Sequence, residues 1–248
     1  MNKLKNALIN NEVIIGTWMQ IGHPAIAEIL APHFDWICID LEHGIIDIET
    51  MANLFRAIEN GDSVPIARIP LNDKIWIHRV LDAGAKGLII PMVNTAEEAA
   101  QAVEEALYPP LGKRSFGYSR ANNYGADFDN YVKSTNEEIS IIIQIEHIDA
   151  INALDFILDV KGIDGTFIGP YDLSGSMGVS GDFESDEYQK AISLYVNATN
   201  NHCVTRGYHM VRPDKKHLKF LKDTGYKMIA IGTDAVFLEE QIKNIKNR

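Results

Sequence analysis

The sequence predicts an α/β fold, a (β/α)8 barrel that spans residues 1–248 as one domain. Eight apolar runs of strand length alternate with segments whose apolar residues recur at helical spacing. These runs are nearly unbroken, as buried parallel strands are, and the chain length suits one barrel domain. An open doubly wound sheet is the alternative. No Gly-x-Gly-x-x-Gly follows the first strand, which disfavours the dinucleotide-binding form of that alternative.

The predicted elements follow from composition and from their end signals. The strands share runs of mainly Val, Ile and aromatic residues and cover 13–18, 35–40, 64–68, 86–91, 140–145, 164–168, 203–208 and 227–231. The helices begin at Asn, Asp, Thr or Pro and cover 24–31, 47–60, 72–83, 95–107, 149–158, 186–200, 213–224 and 233–246. Residues 108–136 show no clear periodicity. Loops of this length tend to be functional, so an active-site or interface element is expected there.

Composition excludes several functional classes. The hydrophobic share of 46% is ample for a core, while the formal net charge of −11 disfavours binding to nucleic acid or to an anionic membrane. The first residues do not resemble a signal peptide, and no run approaches the roughly 20 apolar residues of a membrane span. Cys38 and Cys203 lack metal-type spacing. A disulfide is possible on count, but two reduced thiols in a cytoplasmic protein are the simpler interpretation.

Polar residues collect where the predicted strands end. Barrel enzymes carry their working residues at these ends, although polar residues there are also expected simply because strand ends meet water. The residues at these positions are Gln20, His23, Asp40, Glu42, His43, Arg68, Asn94, Gln144, Glu146, His147, Gly169, Asp172, His209, Arg212, Thr233 and Asp234.

Two carboxylates, Glu146 and Asp172, follow the fifth and sixth strands. Neighbouring parallel strands would bring them to the same edge, where a divalent cation would relieve their repulsion. Oxygen ligands without Cys or His favour Mg²⁺, Mn²⁺ or a similar ion, and a 2-keto acid could chelate the open positions. A helix cap for each carboxylate is the structural alternative.

The remaining strand-end residues favour a metal-dependent route. An imine mechanism needs a lysine on the inner, C-terminal part of a strand, but Lys86 and Lys227 stand at strand starts. His43 is a candidate base, or simply a loop residue. Arg68 ends an apolar strand and should face a carboxylate or a developing oxyanion, with a structural salt bridge as the alternative.

Several ordered motifs resemble the HpcH/HpaI family. They extend from about residue 16 to 237 and comprise Asp-Leu-Glu-His at 40–43, Ala-Arg at 67–68, Leu-Asp-Ala-Gly at 81–84, Pro-Met-Val-Asn-Thr-Ala-Glu-Glu at 91–98, Tyr-Pro-Pro-Leu-Gly-Lys-Arg at 108–114, Gln-Ile-Glu at 144–146 and Phe-Ile-Gly-Pro-Tyr-Asp-Leu-Ser at 167–174. The resemblance implies a class II, metal-dependent pyruvate aldolase. Such an enzyme reversibly cleaves a 4-hydroxy-2-oxo acid of the 2-keto-3-deoxy acid type to pyruvate and an aldehyde through a metal-bound pyruvate enolate.

The resemblance implies a metal and substrate site built from five residues. Glu146 and Asp172 match the ligands of Mg²⁺, Mn²⁺ or Co²⁺. Gln144 matches a residue that holds the pyruvyl part. The backbone around Gly169 and Tyr171 matches the segment that binds the substrate carboxylate. Tyr171 replaces a frequent alanine, so the rim of the pocket should differ.

Three further residues acquire catalytic roles through the resemblance. His43 matches the base that removes the 4-hydroxyl proton, and Arg68 matches the group that stabilises charge on the keto oxygen. Asp82 matches a carboxylate that raises the basicity of the histidine. The sequence, however, places Asp82 at a helix end away from the catalytic face, and a contact across a subunit boundary could reconcile the two.

The family pattern also sets expectations for assembly and leaves the aldehyde open. It implies a homohexamer, a trimer of dimers in which the last helix is exchanged between subunits. Leu41 and Gly44 depart from common glycine and alanine, and Arg114 or Arg120 could hold an acidic or hydroxylated aldehyde tail or serve solubility. A CoA-ester lyase with the same enolate chemistry and a non-catalytic keto-acid-binding barrel are the alternatives.

Overall fold

Eight parallel strands form one closed barrel in the computed structural model, which describes residues 1–246. Each strand pairs in parallel with its neighbours along the chain, and β1 pairs with β8. The strands are β1 Ile14–Met19, β2 Trp36–Asp40, β3 Val64–Arg68, β4 Gly87–Ile90, β5 Ser140–Ile145, β6 Gly165–Ile168, β7 Thr205–Met210 and β8 Met228–Thr233. The predicted barrel is therefore confirmed, and the open-sheet alternative is wrong.

Helices alternate with these strands and surround the barrel. They are α1 Lys3–Ile9, α2 Pro24–Leu30, α3 Ile48–Asn60, α4 Lys74–Asp82, α5 Ala96–Ala106, α6 Phe128–Glu138, α7 Ile148–Asn152, α8 Leu154–Leu158, α9 Pro170–Ser176, α10 Asp186–Asn201, α11 Lys215–Asp223 and α12 Asp234–Lys246, with short 3-10 turns at Ala31–His33 and Arg120–Gly125. Within residues 1–246, none of these helices has both the length and the apolar character that a membrane crossing requires.

Several boundaries differ from the sequence prediction for local reasons. The predicted irregular stretch 108–136 contains α6, whose buried side chains are few, so its periodicity is weak. The predicted helix 149–158 is divided at Ala153 into α7 and α8. Strand β7 begins two residues later than predicted, because Cys203 has a φ of 55° in the turn that follows α10. This shift places His209 inside the strand.

Helix α1, absent from the prediction, closes the N-terminal end of the barrel. Its Leu4 and Leu8 are buried in the same cluster as the residues that fill the barrel interior. The ammonium group of Lys5 donates to the carbonyl of Ile139 at 2.8 Å and binds Asp164 at 2.6 Å, close to the starts of β5 and β6. The opposite end, where the strands finish, remains open.

Large aromatic side chains fill the barrel interior because glycines face them. A Cβ on Gly16 would lie 2.1 Å from the Trp36 ring, and one on Gly207 would lie 2.3 Å from Phe167. Trp36 and Phe167 meet edge to face with their centroids 6.4 Å apart. Interiors are packed too densely to absorb an added carbon without strain.

We expect Gly16→Ala to lower the urea midpoint of unfolding by an amount equivalent to about 3 kcal/mol, because the new methyl group overlaps the buried indole of Trp36. The control is Gly117→Ala, where no atom lies within 4 Å of the added carbon. Equal midpoints for the two variants, measured by circular dichroism, would show that the interior tolerates the added carbon.

Candidate functional site

A cavity of about 380 Å³ opens at the carboxyl ends of the strands. All four odd-numbered strands contribute to its wall through Trp18, Arg68, Gln144 and His209, as in the layered arrangement typical of barrel interiors. Strand β7 also contributes Tyr208 and Met210, and β6 contributes Phe167 and Ile168. The β6–α9 segment completes one side of the cavity with Gly169, Tyr171 and Asp172.

Arg68 is held by two carboxylates from the end of β2 and the loop after it. Its Nε and Nη2 donate to the two oxygens of Asp40 at 3.0 and 2.8 Å, and its Nη1 lies 3.0 Å from an oxygen of Glu42. Burial works to raise the pKa of Asp40, but the hydrogen bonds and charge of Arg68 outweigh it, so that pKa lies below its ordinary value. These contacts fix the plane of the guanidinium group and leave some of its N–H groups free to face the cavity.

His43 lies in the turn after β2, beside the carboxylates that hold Arg68. Its backbone N–H is 3.3 Å from Asp40 Oδ1, so Asp40 shapes this turn as well as holding Arg68. The His43 side chain is exposed, and its charge acts on neighbouring Glu42. Burial raises the pKa of Glu42, and Arg68 and His43 oppose that rise. The fold therefore places the predicted base next to the carboxylates that hold the predicted arginine, while Arg68 lines the cavity and His43 does not.

Glu146 is a buried carboxylate whose hydrogen bonds come from neutral donors. Its Oε1 accepts from the backbone N–H of Met92 at 2.8 Å, and its Oε2 accepts from the side-chain amide of Gln144. Met92 has a φ of 51°, a conformation that few side chains adopt. Gly169 lets the β6–α9 backbone approach, because a Cβ there would lie 2.7 Å from the Glu146 Cβ.

Within residues 1–246, no Lys, Arg or His side chain forms an ion pair with Glu146, and its pKa reflects this. Burial raises its pKa to about 7, the two hydrogen bonds oppose that rise, and the charges of Glu42 and Asp172 add to it. Asp172 lies in the first turn of α9 and is exposed. In residues 1–246, no three or more His, Cys, Asp or Glu side chains are grouped closely enough to hold a metal by themselves.

Trp18 connects Arg68 and His209 through its indole ring. The guanidinium carbon of Arg68 lies 4.4 Å from the ring centre, and the His209 imidazole stacks at 5.0 Å with an 8° angle between planes. His209 Nε2 lies 2.9 Å from the carbonyl oxygen of Gly232, which can only accept. Burial lowers the pKa of His209 to about 4, and the charge of Arg68 contributes.

The lowered pKa of His209 predicts acid-sensitive stability. The unfolded imidazole gains its proton near pH 6.5 and the folded one only near pH 4, so the stabilisation present above pH 6.5 is lost as pH falls between these values. The difference corresponds to about 3 kcal/mol. We therefore compare the free energies of unfolding of wild type and His209→Phe, measured in urea. The difference in favour of wild type should decrease by about 3 kcal/mol between pH 7 and pH 4. An advantage that is constant with pH would contradict this.

Asp82 lies apart from these residues, at the end of α4 and therefore near the start of β4. Its carboxylate binds Arg114 at 2.7 Å. Arg114 is buried, also contacts the Tyr131 hydroxyl, and lies over the ring of Tyr108. Within this chain Asp82 thus anchors the long loop. A role beside His43 needs a second subunit.

Arg120 also serves the long loop in this chain. It donates to the carbonyl of Ala83 at 2.9 Å and binds Glu59. Neither Arg114 nor Arg120 lines the cavity. A tail-binding role for either residue would again require a neighbouring subunit.

Other polar strand-end residues prove to be structural. Asp234 is buried and accepts hydrogen bonds from the backbone of Gln20 and Ile21, which fixes the β1–α2 turn.

Cys38 is buried, Cys203 is exposed, and both are free thiols, as expected. Trp18 was not among the sequence candidates. The signal that identifies it is an aromatic residue at the penultimate position of a strand, with its side chain facing the barrel interior.

Comparison with known proteins identifies the family. Residues 15–239 match the family model described as HpcH/HpaI aldolase/citrate lyase. The hydroxypyruvate/pyruvate aldolase of Roseobacter denitrificans is 34% identical over 99% of this chain and 96% of its own. The 5-keto-4-deoxy-D-glucarate aldolase of Escherichia coli is 36% identical over 94% and 91%. The chain belongs to the HpcH/HpaI family.

Solved structures agree with this assignment. The crystal structure of an HpcH/HpaI aldolase/citrate lyase family protein from Burkholderia cenocepacia matches with a TM-score of 0.94 and 30% identity, over 100% of this chain and 98% of the other. The family, the barrel and the class of enzyme, an aldolase of the lyase type, are therefore confirmed. Enzymes of this family generally depend on a divalent metal.

Proposed function

We propose that the chain reversibly cleaves a 4-hydroxy-2-oxo acid to pyruvate and an aldehyde in the cavity at the carboxyl ends of its strands. The observation that carries this proposal is the pairing of two different environments at one cavity. Arg68, whose guanidinium is fixed by two carboxylates, lines the cavity, and the buried carboxylate of Glu146 lies directly behind two of the wall residues, Gln144 and Gly169. Such a pair can hold both the keto acid and its developing charge.

A divalent cation fits the residues around Glu146. Glu146 and Asp172 supply the carboxylates, and Gln144 adds a buried Oε1 that has no hydrogen-bond partner. Two protein carboxylates leave coordination positions for water and for a chelating 2-keto acid. Bound there, Mg²⁺, Mn²⁺ or Co²⁺ would polarise the keto oxygen and stabilise negative charge on it. Among the residues that the structure describes, no lysine lines the cavity, which disfavours an imine route.

The protein's own groups position the substrate and move its protons. The backbone around Gly169 and Tyr171 receives the substrate carboxylate, and Gln144 orients the pyruvyl part. His43 removes the proton from the 4-hydroxyl group, the C3–C4 bond breaks, and its electron pair becomes the enolate of pyruvate while the aldehyde leaves. Arg68 donates to the keto oxygen as charge develops. A proton from water then adds to C3 to give pyruvate, His43 releases its proton to water, and the reverse order gives aldol addition.

The test is pyruvate release from a 4-hydroxy-2-oxo acid by purified protein, coupled to lactate dehydrogenase. We expect turnover that is lost in excess EDTA and restored by Mn²⁺, because the carboxylate pair needs its cation. The coupling enzyme is assayed alone in the same EDTA as a control. Full turnover in EDTA would contradict the metal-dependent route, and no pyruvate from any such acid would contradict the reaction itself.

We further propose that subunits associate so that Asp82 reaches the His43 of a neighbour, in a homohexamer with an exchanged last helix. Helix α12 supports this, because Leu238, Ile242 and Ile245 follow one helical face and are all exposed. A monomeric mass in sedimentation, combined with full activity, would contradict it.

The proposal includes one domain for residues 1–248 and a cytoplasmic location. One closed sheet of eight strands supports the single domain, and the absence of a disulfide between Cys38 and Cys203 suits a reducing compartment. Limited proteolysis that releases a stable fragment, or recovery of the native protein in a secreted fraction, would contradict these points.

A further inference from the structure

His209 is a titratable wall residue of the cavity to which the proposed reaction assigns no role. It projects from β7, one position before the strand ends, and lines the same cavity as Arg68, Gln144 and Asp172. Its ring is held by two contacts of different kinds. It stacks on Trp18 at 5.0 Å, and its Nε2 lies 2.9 Å from the Gly232 carbonyl oxygen.

These contacts determine which nitrogen can serve a ligand. Since a carbonyl oxygen only accepts, Nε2 carries the hydrogen and donates it to Gly232. The second nitrogen, Nδ1, makes no hydrogen bond to any group in residues 1–246. Burial and the nearby Arg68 cation lower the pKa of His209 to about 4, so the ring is neutral near pH 7 and Nδ1 presents a lone pair.

A neutral hydrogen-bond acceptor in the cavity wall distinguishes substrates by their hydroxyl groups. The Nδ1 atom does not attract a carboxylate, and it has no hydrogen-bond partner when an alkyl chain lies against it. A site that hydrogen-bonds a substrate hydroxyl rejects the analogue without that hydroxyl much more strongly than an apolar wall does.

We propose that His209 is a specificity-determining residue, whose Nδ1 accepts a hydrogen bond from a hydroxyl group on the carbon chain of the substrate. This rests on the proposed aldolase function. The hydroxyl can come from either half of the substrate, from a hydroxylated 2-keto acid in place of pyruvate or from a 2-hydroxyaldehyde. The chemistry recognised is the same, and the substrates of the test separate the two sources.

The test measures kcat/KM for aldol addition with two matched pairs. Pyruvate and hydroxypyruvate are compared with one fixed aldehyde, and propionaldehyde and glycolaldehyde are compared with pyruvate fixed. His209→Phe preserves an aromatic ring against Trp18 but removes the acceptor. We expect the preference for the hydroxylated member of one pair to fall roughly ten-fold, the value of about one hydrogen bond. The affected pair identifies the half of the substrate that His209 contacts.

Controls separate recognition from packing. His209→Asn, which keeps an amide donor and acceptor, should recover part of the preference. His202→Phe should change neither ratio, because His202 binds Asp155 and Asp159 on the surface, outside the cavity. If His209→Phe is recovered unfolded, His209→Leu replaces it.

Unchanged ratios in an active His209→Phe enzyme would overturn this inference alone. An equal loss in the His202→Phe control would also overturn it. Wild-type protein that forms no aldol product with any of the four substrates would overturn the proposed function and this inference with it.

Discussion

Glu146→Gln should leave the barrel folded but reduce cleavage more than any other single substitution that we consider. The glutamine keeps the length of the side chain and can still accept from the N–H of Met92. It loses the charge that would hold a divalent cation, and with it several kcal/mol of transition-state stabilisation. We expect turnover to fall by roughly 10³-fold. Calorimetric titration with Mn²⁺ should show a parallel loss of affinity.

The stability of the same variant distinguishes a functional from a structural carboxylate. Burial raises the pKa of Glu146 to about 7, which means that the ionised form is disfavoured in the folded protein. Without metal at pH 8, Glu146→Gln should therefore melt at the same temperature as wild type or higher. Glu138→Gln, at the end of α6, is the matched control and should affect neither turnover nor Mn²⁺ binding. A large drop in melting temperature would mean that Glu146 is needed for folding.

The sequence could predict that Glu146, Asp172 and Arg68 lie at the same end of the barrel, because each ends or follows a recognisable apolar strand. In a closed parallel barrel, strand ends converge on one face, so no knowledge of side-chain contacts is needed to bring these residues together. The partners of Arg68 were harder to assign. Its contacts with both Asp40 and Glu42 depend on the turn after β2. The geometry of that turn cannot be predicted from the periodicity of apolar residues.

Features that depend on long-range contacts escaped the sequence. Helix α6 buries only Tyr131 and Thr135, so its apolar pattern is too weak to separate it from the loop. Arg114 was an open candidate for tail binding, and its burial against Asp82 and Tyr131 emerges only when the loop is folded back on α4. The lowered pKa of His209 likewise depends on its burial and on the charge of Arg68, which is distant in sequence.

The second large effect is expected at Arg68, where charge alone should not suffice. Arg68→Lys keeps a cation at the end of β3, but an ammonium group cannot reproduce the planar donors that bind Asp40 through Nε and Nη2 and Glu42 through Nη1. The lysine would be drawn to one carboxylate, and the donor facing the keto oxygen would be lost. We expect kcat to fall by roughly 10²- to 10³-fold, as for loss of one oxyanion donor, with KM little changed.

Asp40→Asn tests whether the orientation of the guanidinium matters. Asp40 is fully buried at the end of β2 and touches Arg68 rather than the open cavity, so it acts by positioning. An asparagine keeps one acceptor for Arg68 and turns its amide against the other N–H. We expect kcat to fall less than in Arg68→Lys, and the two substitutions together to cost less than the sum of their separate free energies, because both disable one unit. Additive losses would mean that Asp40 contributes to the reaction independently of Arg68.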